Sequence, residues 1–154
     1  MSQQTTQRSY TIKEASALTG LPASTLRYYE TIGVISPISR GASSKHRVYD
    51  EDDLDELMWV ACLAATGMSV NDMRAYVANG RLGPQAAADQ IQLLSRQADR
   101  LAAEAEHVAL RRRYVALKVE YWKAVDAGDS ERAGVLSGEA RTLADALKRT
   151  EKER

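Results

Sequence analysis

The 154-residue chain has no phenylalanine, and aromatic residues make up only 6% of it. Apolar residues still reach 44%, so a core must be packed mainly by small and branched aliphatic side chains. A single cysteine, Cys62, excludes an intramolecular disulfide framework and a zinc centre built from several thiolates. The two histidines, His46 and His107, lie far apart on different predicted elements, so no metal site is expected. No paired carboxylates, Ser/His/Asp array or glycine-rich phosphate loop stands out, and neither an enzyme nor a cofactor is expected. No apolar run approaches the ~20 residues that span a bilayer, and no secretory leader pattern is present. The expected compartment is the cytoplasm, with no membrane partner.

The formal net charge is zero, which hides an asymmetry. Up to Tyr49 the bases are Arg8, Lys13, Arg27, Arg40, Lys45 and Arg47, against Glu14 and Glu30 alone. The next stretch, Asp50 to Glu56, reads DEDDLDE and holds no base. A basic N-terminal module suits a polyanionic partner. The acidic run suits the first turn of a helix, where the dipole favours negative charge, better than a metal site.

The organising stretch is Ala23 to Gly33, ASTLRYYETIG. It reads as a short helix that starts after Leu21-Pro22 and stops at a glycine. Leu26 and Ile32 can face inward, leaving Thr25, Arg27, Tyr28 and Tyr29 on the remaining arc to reach phosphates and base edges. Upstream, Thr11-Ile-Lys-Glu14 is a capping box that opens a run with Ile12, Ala15 and Leu18 on one face. That run ends at Thr19-Gly20. Two short helices joined through a glycine turn make a helix-turn-helix pattern. Ile38 to Tyr49, ISRGASSKHRVY, then reads as two short extended pieces around a turn at Gly41 and the serines. This is the wing expected beside such a motif, with Arg40, Lys45, His46 and Arg47 holding flanking phosphates.

These residues closely resemble the MerR family of bacterial transcription regulators. The resemblance rests on Leu26-Arg27-Tyr28-Tyr29-Glu30, Gly33-Val34-Ile35, Pro37, the Arg-x-Tyr of Arg47 and Tyr49, Asp53-Leu54, and Gly67-Met68-Ser69. It runs from about Tyr10 to Tyr76. The family usually carries a glycine and an aromatic residue before Arg-x-Tyr, whereas Lys45 and His46 stand there here. The expected DNA-contacting set is Thr11, Ser24, Thr25, Arg27, Tyr28, Tyr29, Arg40, Lys45, His46, Arg47 and Tyr49.

Asp50 and Asp53 cap a third helix, which runs to about Thr66. Leu57 to Ala65 contains no polar residue, so this helix is expected to be buried on more than one side, between the DNA-binding core and another helical element. A short helix capped by Ser69 is expected to break at Asn79-Gly80, and Gly83-Pro84 restarts the chain. From Pro84 to about Val125 an apolar stripe recurs in steps of three and four, with Ile91, Leu94, Leu101, Val108, Val115, Val119 and Trp122 as its larger members. A lone helix of roughly 40 residues cannot leave that stripe in water, so it needs a partner. The simplest partner is the same helix of a second subunit, forming a homodimer. The other possibility is that it folds back only on its own C-terminal helix, where Ala133, Leu136, Ala140, Leu143 and Leu147 follow helical spacing after the turn at Ala127-Gly128-Asp129-Ser130.

The expected fold is mainly α: a winged helix-turn-helix with a small β wing, a long coiled-coil dimerisation helix and a short C-terminal helix. The expected domains are a disordered lead-in over 1–9, the DNA-binding domain over 10–80, the dimerisation helix over 81–126 and the terminal helix with a fraying tail over 127–154. The stretch after Val125 is too short for the large effector domain of multidrug-sensing family members. Cysteines at the ends of the dimer helix, which metal-sensing members carry, are absent. Cys62 stands five residues before Gly67, matching the sensing cysteine of the aldehyde- and nitrosative-stress-responsive branch. It is either such a sensor or a small core filler.

The resemblance implies a homodimer that binds an inverted repeat in promoter DNA and distorts the spacer so that RNA polymerase can engage. The alternatives are an effector-independent architectural or excisionase-like DNA binder, and a module that interacts with proteins through its coiled coil.

Overall fold

The computed structural model describes residues 7–152 and is helical apart from the wing and the connecting turns. The expected lead-in before Gln7 and the last two residues of the tail lie outside the described residues. The chain divides into two compact units, one up to Leu94 and one from Ser95 onward.

In the first unit, α1 (Ile12–Thr19) starts at the Thr11–Glu14 capping box. The Thr11 hydroxyl accepts the Glu14 amide at 3.2 Å while the Glu14 carboxylate accepts the Thr11 amide. Gly20 ends the helix at φ 77°, a left-handed conformation that glycine adopts without a Cβ clash. Two side chains fix the turn that follows: the Ser16 hydroxyl donates to the Leu21 carbonyl at 2.7 Å, and the Thr19 hydroxyl accepts the Leu21 amide at 3.2 Å. This turn sets the direction of α2 (Ala23–Thr31), which enters through Pro22 without a side-chain cap and is closed by Gly33 at φ 76°.

The wing follows. Tyr10 and Tyr49 exchange both backbone hydrogen bonds, at 2.8 and 2.9 Å, and Arg40 bridges Arg47. The turn is closed by Gly41 donating to His46 at 2.9 Å and Lys45 donating to Gly41 at 3.0 Å. Lys45 has φ 60°, the only non-glycine residue with positive φ among the described residues. This is the position where the family usually places glycine, and the reason is now visible. A side chain in this conformation costs about 1 kcal/mol relative to glycine.

α3 (Glu51–Ala65) starts at the expected Asp50–Asp53 capping box. Its Leu57 and Val60 are fully buried in a core shared with Ala15, Leu26, Val34 and Tyr49. As expected, α3 lies between α1 and the next helix, whose Met73 joins the same core, yet Met58, Trp59 and Cys62 remain exposed in this chain. The apolar run from Leu57 to Ala65 is therefore not closed by this chain alone.

α4 (Val70–Leu82) starts with the Ser69 hydroxyl accepting the Asp72 amide at 3.2 Å. It does not break at Asn79-Gly80, as the sequence suggests, but continues for one more turn. A single helical glycine costs about 1 kcal/mol relative to alanine, less than the local packing provides. Asn79 is held by donating to Gln90 at 3.2 Å, and Gln90 in turn donates to the Tyr76 carbonyl at 2.9 Å. The stop is Gly83 at φ 73°, followed by a 3₁₀ turn over Gly83–Ala86 with Pro84 in its first turn.

α5 (Ala87–Asp126) is 40 residues long. In the second unit, Gly128 at φ 74° reverses the chain and Asp129 accepts the Arg132 amide at 3.0 Å, opening α6 (Ser130–Lys152). Ala133 and Leu136 of α6 pack against Leu117, Tyr121 and Ala124 of α5. That face of α5 lies two residues, about half a turn, from Val115, Val119 and Trp122. These three remain exposed, Trp122 by 64%, as do Ile91, Leu94, Leu101 and Val108. Within the second unit, α5 thus folds back on its C-terminal helix through one face, and Leu101, Val108, Val115, Val119 and Trp122 stay exposed beside it. Among the described residues no helix is long and apolar enough to cross a membrane.

Candidate nucleic-acid interface

Three segments converge on one basic face: the start of α1, the middle of α2 and the wing. Thr11, Ile12 and Lys13 of the first, Arg27 of the second, and Arg40, His46 and Arg47 of the third line a shallow recess of 250 Å³. Ser24, Arg27 and Tyr28 are exposed on α2, as is Lys45 on the wing. The first turn of α2 has no side-chain cap and no acidic residue, so its free amides are unopposed by negative charge. Backbone amides and cations of this kind hold phosphates.

Not every residue of the predicted set lies on this face. Tyr29 is 8% exposed and belongs to the core, so its ring does not share the outer arc with Arg27 and Tyr28. It follows Leu26 by three, the spacing of one helix face, and this was the available signal. Tyr49 is fully buried, and its hydroxyl has no hydrogen-bond partner among the described residues. Burial pushes its phenol up from the usual range. Thr25 is half-buried, and the Thr11 side chain is occupied by its capping interaction with Glu14.

Arg47 is also not the free cation expected. Its Nε donates to Glu30 Oε2 at 2.7 Å, and both side chains are largely buried. Burial pushes the Glu30 carboxyl up. The Ile38 amide, the Arg47 guanidinium and the charge of Arg40 pull it down further, leaving it below the usual range. Arg40 donates to the Lys45 carbonyl at 3.1 Å and so stiffens the wing tip. Lys13 was absent from the predicted set, although its place two residues after the Thr11 cap puts it beside the other cations. No group of three or more His, Cys, Asp or Glu among the described residues could hold a metal ion.

Residues 10–80 match the family model described as MerR HTH family regulatory protein. This segment is a MerR-family regulatory domain. Its boundaries take in α1 to α3, the wing and most of α4, so the MerR module contains every element of the basic face. The chain is 38% identical over 71 residues to the HTH-type transcriptional regulator YyaN of Bacillus subtilis (strain 168), covering 46% of this chain and 51% of that protein. It spans between half and three-fifths of the length of the first curated relatives it matches. Among solved structures, a MerR family transcriptional regulator from Listeria monocytogenes superposes with a TM-score of 0.65 at 27% identity, covering 84% of this chain and 98% of that one. HiNmlR, a MerR family regulator lacking the sensor domain and solved bound to promoter DNA, gives a TM-score of 0.60 at 24% identity over 84% and 96% of the two chains. The second likeness speaks for the fold alone.

Proposed function

We propose that this chain is a transcription regulator that binds promoter DNA as a homodimer through an inverted repeat and distorts the spacer between the half-sites. The observation that carries the reading is the convergence of Lys13, Arg27, Arg40 and His46 on one face of a MerR-family module. Arg27 and Tyr28 project from α2 toward a groove, and the wing and the start of α1 flank them toward the backbone. Dimerisation runs along the exposed stripe of α5, from Ile91 to Trp122, which is supported by that stripe lying away from the face α6 covers. Two modules fixed on one arm can strain the DNA between their half-sites. RNA polymerase enters as a partner by family resemblance. In this reading Cys62 is the point of response to electrophiles. It is exposed on α3 of the single chain, beside Met58 and Trp59, and is the one thiol of the sequence.

The test is selection of bound genomic fragments, followed by anisotropy titrations of the top site at several salt concentrations and transcription from it in vitro. The expected result is an inverted repeat whose affinity falls steeply with salt. Binding that ignores salt and sequence overturns the reading, and bending without any change in transcription points to an architectural protein. Mass spectrometry of the native protein after electrophile exposure tests Cys62, and an unmodified thiol removes it.

A further inference from the structure

One carboxylate ties the recognition helix to both arms of the wing. Glu30 lies in the last turn of α2. Its Oε1 accepts the amide of Ile38 at 2.8 Å, where the first arm begins, and its Oε2 accepts Nε of Arg47 at 2.7 Å, on the second arm. The side chains of Arg47 and Glu30 are only 16% and 14% exposed, so water competes weakly for either bond. The arms are otherwise joined to each other by a few backbone bonds, and Tyr49 joins the second arm to Tyr10. Among the described residues, Glu30 is the α2 side chain whose hydrogen bonds reach both arms.

We propose that Glu30 is the positioning residue of the DNA interface: it fixes the wing against α2 and neutralises Arg47, which is thereby a structural cation rather than a phosphate ligand. This rests on the reading of the face as a DNA interface. The consequence for recognition is geometric. Arg40 and His46 on the wing keep a fixed offset from Arg27 only while both Glu30 bonds hold, so discrimination between the operator and random DNA depends on a side chain that touches neither.

The experiment compares the full-length wild type with Glu30→Gln and Arg47→Ala. The first readout needs no DNA. Hydrogen exchange of the Ile38 and Val48 amides accelerates roughly tenfold in Glu30→Gln, while α1 and α3 amides keep their wild-type rates. Unchanged exchange at Ile38 and Val48 overturns the latch whatever the protein binds. The second readout is the salt dependence of binding to the selected operator. Arg47→Ala keeps the wild-type slope, because the cation it removes was already neutralised. Glu30→Gln frees the guanidinium and steepens the slope by about one unit, while the ratio of operator to random-DNA affinity falls roughly tenfold. A slope that flattens by about one unit in Arg47→Ala overturns the proposal, since it places Arg47 on a phosphate. An operator-to-random ratio in Glu30→Gln equal to that of wild type also overturns it. Wild-type binding without any salt dependence instead sinks the DNA-binding reading, leaving the exchange result to stand on its own.

Discussion

The N-terminal module and the part of α5 in the second unit use the same aliphatic residues in opposite ways. In the module, Leu26 and Leu57 are fully buried, capping boxes close the starts of α1 and α3, and glycines with positive φ close α1 and α4. On α5, Leu101, Val108, Val115 and Trp122 repeat at helical spacing and remain exposed. Burial of a large aliphatic side chain contributes about 1.5–3 kcal/mol, a stabilisation the core around Leu26 and Leu57 has within a single chain and the exposed α5 stripe does not. Under the proposed dimer, a second copy covers this repeating surface and positions a second module.

The comparison is broken most severely at the seam. Leu101→Glu places a charge at the centre of the exposed stripe and should abolish association, seen as loss of the heavier species in sedimentation, with the melting of the N-terminal module unaffected. Leu26→Ala acts on the closed side. It should cost the module about 2–5 kcal/mol in denaturant unfolding and leave association intact. A loss of association with Leu26→Ala would mean that the two regions are not separable. Arg27→Ala, on the module's surface, should weaken operator binding by about 1–3 kcal/mol without altering stability, as measured by anisotropy at fixed salt.

Tyr49→Phe sharpens the description of the closed core. An unpaired buried hydroxyl carries an uncompensated desolvation cost, so its removal should stabilise the module by about 1 kcal/mol in urea titration. Destabilisation would reveal a partner for that oxygen. The smallest effect is in acid. The Glu30 carboxyl, raised by burial but pulled further down by the Ile38 amide, Arg47 and Arg40, has a folded pKa below its ordinary 4.5. Its contribution is therefore present above that value and is lost as pH falls through the depressed folded pKa. Asp53, whose carboxyl is raised chiefly by burial, acts in the opposite sense. The wild type should lose more stability than Glu30→Gln between neutral pH and pH values below 4.5; parallel curves would count against the Glu30–Arg47 bond.

Much of the module was legible because its signals are local. Thr11 with Glu14 and Asp50 with Asp53 stand three residues apart, and the glycines at 20, 33 and 67 mark turns directly. What was missed depends on distance in sequence. Glu30 and Arg47 are 17 residues apart, and nothing in either segment announces that they meet. Tyr29 and Tyr49 carry a polar tip on a large apolar ring, and only tertiary packing decides which end prevails. Gly80 looked like a stop because a helical glycine is unfavourable in isolation, yet Asn79 and Gln90 hold that turn. For the exposed face of α3 the limit is of the opposite kind. A run of apolar residues states that burial is needed, but not that the same chain supplies it.

In the proposed dimer, the core around Leu26 and Leu57 closes within one chain, while the exposed stripe of α5 is covered by a second copy. Sedimentation equilibrium of the full chain at micromolar concentration tests it without DNA or effector. The predicted mass is twice 17.0 kDa, returning to 17.0 kDa in Leu101→Glu. A wild type that sediments at 17.0 kDa with α5 still helical contradicts the account.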